Sequence, residues 1–274
     1  MSDPRAIGVF DSGVGGLTVV RSILDDLPRE PVLYFGDTAR YPYGPRTLEE
    51  VRTFAVQIAR HLVERDVKMI VVACNSATAA AIEQVRAAVS VPVVGVIEPA
   101  VRAAVRATRN GRVGLIGTEV TVASGAYHDA LARLDPGSEI ALIGQACPAF
   151  VEFVERGDTT SPALLAAAER YLTPLQAAGV DTLILGCTHY PLLRGALHHV
   201  MGPEVLLLSS ADETAKDVYE ILGERGLLNE MTRPPDHRFE CSGDPEWFAG
   251  LGRRFLGPEF LDADRVSLEL SKSR

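Results

Sequence analysis

The chain has 274 residues, 47% of them apolar, and a formal net charge of −9. That length holds one large α/β domain or two of ordinary size, with a sizeable core. The acidic balance and the lack of a Lys/Arg run argue against nucleic acid as a partner, and no apolar run approaches the roughly 20 residues that span a bilayer. The opening "MSDPRAIGVFDSG" lacks the basic start and apolar stretch of a secretory signal. The four cysteines, Cys74, Cys147, Cys187 and Cys241, form no Cys-x-x-Cys pair, against a zinc ribbon or thioredoxin site. A cytoplasmic protein with reduced thiols is expected.

Short apolar runs alternate with longer amphipathic segments. In chain order they predict a strand over 6–10, a helix over 16–26, a strand over 32–35, a helix over 47–65, a strand over 69–73 and a helix over 76–89. Strands over 93–96 and 113–116 follow, then a helix over 123–133, a strand over 140–144, a helix over 161–178 and a strand over 182–185. A strand over 205–208 and a helix over 211–222 come next, and "HRFECSGDPEWFAGLGRRFLG" reads as a further edge strand and a closing helix. Thr47 with Glu50, and Ser210 with Glu213, have the spacing of capping boxes, in which hydroxyl and carboxylate satisfy orphan backbone donors reciprocally. Buried strand runs alternating with helices predict an α/β fold of parallel-rich sheets covered on both faces.

A faint repeat runs through the chain. "KMIVVACNSATAAAIEQV" lies over "DTLILGCTHYPLLRGALH" with the cysteines aligned, and "IGVFDSGVGGLTVV" lies over "VGLIGTEVTVASGA" with Ser12 against Thr118. The repeat predicts two pseudo-symmetric α/β domains, 1–97 plus 210–274 and 98–209. The carboxyl ends of open parallel sheets are where ligands bind, so facing halves would each deliver one cysteine to a shared cleft.

A thiol between a parallel strand and the following helix sits near a helix N-terminus, whose dipole and free N–H groups favour the thiolate and lower a free pKa of about 8.5. Cys74 and Cys187 both fit, each followed by small polar residues rather than by more core. Two facing thiols suit a disulfide switch, a metal site with His189, or proton exchange at a carbon centre with one base on each face. Asp11 and Ser12 end the first strand. The glycines after them do not complete a nucleotide-binding loop, and Asp11 would repel a phosphate, so a turn that presents donors to a small ligand fits better. His189 is placed to tune Cys187 or to protonate a substrate, and residues 36–46 read as a rigid loop over a site. Cys147 and Cys241 read as core residues, and Glu152 as a helix-surface carboxylate or a supporting partner. Six residues between Cys187 and Arg194 do not match the five of a cysteine phosphatase.

"GVFDSGVGGLTV", "YFGDTARYPYG", "ACNSATA" and "LGCTHYPLL", in this order, closely resemble the glutamate racemase family over nearly the whole chain. The resemblance implies two pseudo-symmetric α/β domains with the active site between them, usually in a homodimer. It implies interconversion of L- and D-glutamate for peptidoglycan synthesis without pyridoxal phosphate or metal. Carried onto matching positions, it gives Cys74 as the base for D-glutamate and Cys187 as the base for L-glutamate. Asp11 would assist Cys74 and His189 would assist Cys187, with Glu152 as a third carboxylate on the Cys187 side. Asp11, Ser12, Tyr43, Gly44, Asn75, Ser76, Thr188 and His189 match substrate-contacting positions, with Thr118 and Thr121 as further donors. Ser76 replaces the family's usual threonine but keeps the hydroxyl, and Ala100 stands where glycine is common. A racemase of the same superfamily acting on aspartate or a hydantoin is the alternative enzyme; "CTHYPLL" favours glutamate. A non-catalytic amino-acid-binding redox sensor is the alternative of another class.

Overall fold

A computed structural model describes residues 2–137 and 139–268. Met1, Ser138 and residues 269–274, assigned above to one or other domain, lie outside the described residues. The strands are β1 (Ile7–Asp11), β2 (Val32–Gly36), β3 (Met69–Val72), β4 (Val93–Gly95), β5 (Arg112–Gly117), β6 (Ala141–Ala146), β7 (Thr182–Gly186), β8 (Leu206–Ser209), β9 (Arg238–Cys241) and β10 (Asp264–Arg265). The helices are α1 (Leu17–Asp26), α2 (Leu48–Glu64), α3 (Asn75–Ala88), α4 (Ile97–Ala107), α5 (Glu119–Ala123), α6 (Ala126–Leu134), α7 (Ala149–Glu155), α8 (Pro162–Ala177), α9 (Arg194–Met201), α10 (Ser210–Glu224) and α11 (Pro245–Leu256).

The strands form two parallel sheets, one in the order β10-β9-β2-β1-β3-β4 and the other β6-β5-β7-β8. Strands β1, β2, β3 and β7 are buried along their whole length, as strands covered on both faces must be. The order 2-1-3-4 recurs as 6-5-7-8, so the faint repeat has a geometric counterpart. Ser12 follows β1 as Thr118 follows β5, and Cys74 follows β3 closely as Cys187 follows β7. The last helix of each repeat crosses over: α4 leaves the first sheet and packs on β7 and β8, while α10 leaves the second and packs on α1 and β4. Arg102 on α4 donates to both oxygens of Asp217 on α10, at 2.5 and 2.6 Å, where the crossing helices meet.

Several local expectations change. The helix expected over 123–133 is two, α5 and α6, because Gly125 takes a left-handed φ of 74° between them. Residues 97–107, read only as the start of a domain, form α4. The Thr47 box forms, with the Glu50 amide donating to Thr47 Oγ1 and the Thr47 amide to Glu50 Oε2. The Ser210 box does not. Ser209 is the N-cap, the buried Ser210 hydroxyl donates instead to the Leu185 carbonyl at 3.3 Å, and Glu213 pairs with Lys216. Nor is β9 an edge strand, since β10 pairs on its outer side. No helix among the described residues is long and apolar enough to cross a membrane.

One buried ion pair ties the chain's distant parts to the first sheet. Lys68, fully buried before β3, lies 2.5 Å from Glu30 Oε2 and donates to the carbonyls of Asp3 and Leu227. Glu30 Oε1 accepts from the Asn229 amide at 2.7 Å. Lys68→Met would leave the Glu30 charge buried without its cation, so it should lower unfolding free energy by about 3–5 kcal/mol. Thr47→Ala removes only an exposed cap and should cost about 1 kcal/mol. Urea denaturation of both variants checks this; equal midpoint shifts would contradict it.

Candidate active site

A cavity of about 380 Å³ opens between the two sheets, at the small end of the range for ligand sites. Ser12, Tyr43, Gly44, Cys74, Asn75 and Ser76 line it from the first half, and Thr118, Glu152, Cys187, Thr188 and His189 from the second. The two cysteines therefore share one chamber. Cys147 and Cys241, also buried free thiols, do not line it. Asp11 and Thr121 lie behind the lining residues and act on the chamber through them.

The first sheet presents its side through two strand ends. After β1, Asp11 turns inward, almost wholly buried, and its Oδ1 accepts from the Gly13 amide at 2.8 Å and from the Ser12 hydroxyl at 3.3 Å. This Asx-type turn fixes Ser12 at the cavity wall. After β3, Cys74 is the N-cap of α3, and its sulfur accepts from the Ala77 amide at 3.4 Å. The Cys74 thiol also donates to Ser12 Oγ at 3.8 Å, so a chain of polar hydrogens links Cys74 through Ser12 to Asp11. Tyr43 is held by its hydroxyl bond to Asp37, a buried carboxylate that also accepts from Arg40 and Ser242.

The second sheet meets it directly. Thr188 Oγ1, beside Cys187, donates to Asp11 Oδ2 at 3.2 Å. Ser76 at the start of α3 bonds Thr118 Oγ1 at 3.0 Å and Thr121 Oγ1 at 3.3 Å, so three hydroxyls bridge the halves. Asn75 Oδ1 accepts from Tyr127 at 2.7 Å, while its buried Nδ2 has no partner among the described residues. An unmatched buried donor is costly, and a ligand oxygen in the chamber is the kind of partner that would satisfy it.

The carboxylate beside His189 is Glu155, not Glu152. His189 Nε2 and Glu155 Oε1 are 3.2 Å apart, and Tyr41 also hydrogen-bonds Glu155. Glu152 touches the cavity wall, but it is exposed and its carboxylate pairs with Arg156 one turn on. Both glutamates lie on α7 three residues apart. Burial of Phe150 and Val154 rotates Glu155 toward the chamber, and only a helical-phase argument over "FVEFVERG" could have separated them. Burial pushes the Glu155 carboxyl up, but the bonds from His189 and Tyr41 outweigh it and hold it below the usual range.

Of the two thiols, only Cys74 stands at an α-helix N-terminus; Cys187 precedes a 3₁₀ turn over Tyr190–Leu193, with α9 starting at Arg194, and neither thiol is lowered as a helix end suggested. Burial pushes Cys74 up to about 12, with the Asp11 charge adding to the effect, and the Ala77 and Ser12 contacts recover only part. Cys187 is pushed up as well, by burial first, against the opposing His189 amide. Desolvation of a small anion in the wall of the cleft outweighs one or two backbone donors. Burial likewise raises Asp11, opposed by His189 and by bonds from Gly13, Thr188 and Ser12.

These features fit a known family. Residues 7–218 match the family model described as Asp/Glu/Hydantoin racemase. The chain is 57% identical over 254 residues to a glutamate racemase of Acidothermus cellulolyticus, covering 92% of this chain and 95% of the relative. Among solved structures it is similar to a glutamate racemase isoform from Bacillus anthracis, with a TM-score of 0.91, 41% identity, and coverage of 96% of this chain and 98% of that one. It is also similar to the Francisella tularensis glutamate racemase solved in complex with D-glutamate, with a TM-score of 0.90, 35% identity, and coverage of 97% and 99%. The paired thiols, the repeated sheet and the match along most of the chain agree: this chain belongs to the Asp/Glu/hydantoin racemase family.

Proposed function

We propose that the chain interconverts L- and D-glutamate by a two-base mechanism in which Cys74 and Cys187 work on opposite faces of the α-carbon. The observation that carries the reading is that the two cysteines, from opposite halves of a repeated fold, line one cavity of amino-acid size. The identity with glutamate racemases supplies the substrate. In one direction the Cys74 thiolate takes the α-proton of D-glutamate. The C–H electron pair stays on the α-carbon, delocalised into the carboxylate. The Cys187 thiol then delivers its proton to the other face and gives L-glutamate. The reverse reaction exchanges the roles.

The resting thiols are protonated, so each must lose its proton before it can act. Burial is the cause: it disfavours the thiolate at both positions. The Cys74–Ser12–Asp11 chain offers a route for that proton, and a carboxyl already raised by burial is suited to receive it. His189, held by Glu155, serves the Cys187 side. The substrate ammonium brings positive charge into the chamber and favours the thiolate. Asn75 Nδ2, free among the described residues, is a donor for the developing carboxylate charge, and the Ser76 and Thr118 hydroxyls, which bond each other in the ligand-free site, can turn to add to it. Cofactor independence, the homodimer, the cytoplasmic setting, the supply of D-glutamate to peptidoglycan and the division into 1–97 plus 210–274 and 98–209 are taken into this reading from the resemblance and the repeat.

Circular dichroism should follow the loss of either pure enantiomer of glutamate to a racemic mixture, without added cofactor. Cys74→Ala and Cys187→Ala should each slow it by about 10²–10⁴-fold. Inertness toward both glutamate enantiomers with turnover of aspartate would replace the substrate, and inertness toward both amino acids would overturn the reading. In the ligand-free protein, alkylation of Cys74 by iodoacetamide, followed by peptide mass spectrometry, should keep rising with pH beyond 9. The thiolate fraction grows until pH passes about 12. A plateau near the ordinary thiol range of about 8.5 would contradict this.

A further inference from the structure

The glycine-rich "GVGGLT" segment meets the turn that carries Cys187 closely. A Cβ built on Gly15 would lie 2.3 Å from Thr188 Oγ1 and 2.5 Å from His189 Nδ1. Three residues on, Thr18 Oγ1 lies 2.9 Å from the Gly15 carbonyl and 3.0 Å from the Thr188 carbonyl, its one hydrogen shared between them. Thr18 is buried at the start of α1 and does not line the cavity. With the Thr188–Asp11 bond, these contacts hold the β7 turn from three directions.

We propose that Gly15 and Thr18 are positioning residues that set the gap between the two thiols, seating the Cys187–His189 turn of the second half in a notch on the first. The proposal rests on the two-base reading above. Both thiols reach the ligand from rigid strand ends, so their separation is fixed by whatever registers one sheet end against the other. Gly15 supplies the depth of the notch, because a methyl group there would drive the turn outward by about 1 Å to regain ordinary contact. Thr18 supplies the register, because its hydroxyl binds the Thr188 carbonyl, in the peptide that links Thr188 to His189. Neither residue touches substrate. A displaced Cys187 turn impairs both proton removal by Cys187 and proton delivery to the opposite face, and reaches proton removal by Cys74 only through the weaker Thr188–Asp11 bond.

Elimination separates these steps. With 3-chloroglutamate, removal of the α-proton by one thiolate leaves an electron pair that forms the Cα–Cβ double bond and expels chloride. No proton returns from the other side. Chloride release from each α-enantiomer therefore reports one base at a time, whereas racemisation needs both. In wild type, Cys74→Ala and Cys187→Ala assign which enantiomer reports which thiol. Gly15→Ala should slow glutamate racemisation by about 100-fold, as expected for a displacement near 1 Å, and Thr18→Val by about 10-fold for one lost hydrogen bond. Both should keep elimination from the Cys74-dependent enantiomer within about threefold of wild type and slow elimination from the other by about the same factor as racemisation. Thr18→Ser, which keeps the hydroxyl, should racemise within about twofold of wild type. If all three rates fall together in Thr18→Val, or none falls, the positioning role is overturned. If wild type neither racemises glutamate nor releases chloride, the two-base reading fails instead.

Discussion

Removing two thiols from water in the wall of one cleft is the constraint on which the rest of this structure depends. A thiolate on an exposed helix N-terminus would be stabilised outright. Here burial raises both sulfurs, and a neighbouring buried carboxylate raises Cys74 further. The arrangement makes sense only if a charged ligand completes it. Asp11, itself raised by burial, sits at the end of a hydroxyl chain from Cys74. Burial therefore keeps both thiols in their neutral form, and the ammonium of an amino acid is the kind of charge that would favour a thiolate there.

The fold delivers this chamber by repetition. Each half carries the same strand order, and each places a hydroxyl after one central strand and a thiol after the next. Opposed, the halves each set one thiol in the wall of a shared cavity, in non-equivalent surroundings. Cys74 is backed by Ser12 and Asp11, whereas the Cys187 turn carries His189 and Glu155. The ligand is chiral, so the two faces must differ even though the chemistry on each is the same. The crossing of α4 and α10 makes each half depend on the other, which suits a site that neither half contains alone.

Much of this was legible in the sequence because it rests on local pattern. Apolar runs ending in Cys-Asn-Ser and Cys-Thr-His mark buried strands followed by residues that line the cavity, and the alignment of the two runs foretells the repeated sheet. The Thr47 cap was legible for the same reason, since a capping box is a four-residue interaction. What failed depends on tertiary context. Ser210 has the right spacing for a cap, yet a carbonyl from β7, distant in sequence, claims its hydroxyl. The helix dipole at Cys74 was legible, but the desolvation that outweighs it is a property of the assembled cleft. Glu155 was missed in favour of Glu152 because helical phase, not composition, decides which carboxylate faces His189. Gly15 fell in the expected turn and Thr18 in the expected first helix, and their closeness to Thr188 and His189 appears only when the second half is seated against them.

The central claim is that hydrogen leaves one face of the α-carbon to one sulfur and arrives on the other face from a second. Proton NMR of L-glutamate incubated with the protein in D₂O tests it most directly. The account predicts that newly formed D-glutamate carries deuterium at its α-carbon from the first turnovers, while unreacted L-glutamate still holds its original proton. Product that retains the substrate's α-proton would mean that a single group carries it across, and the account would be wrong.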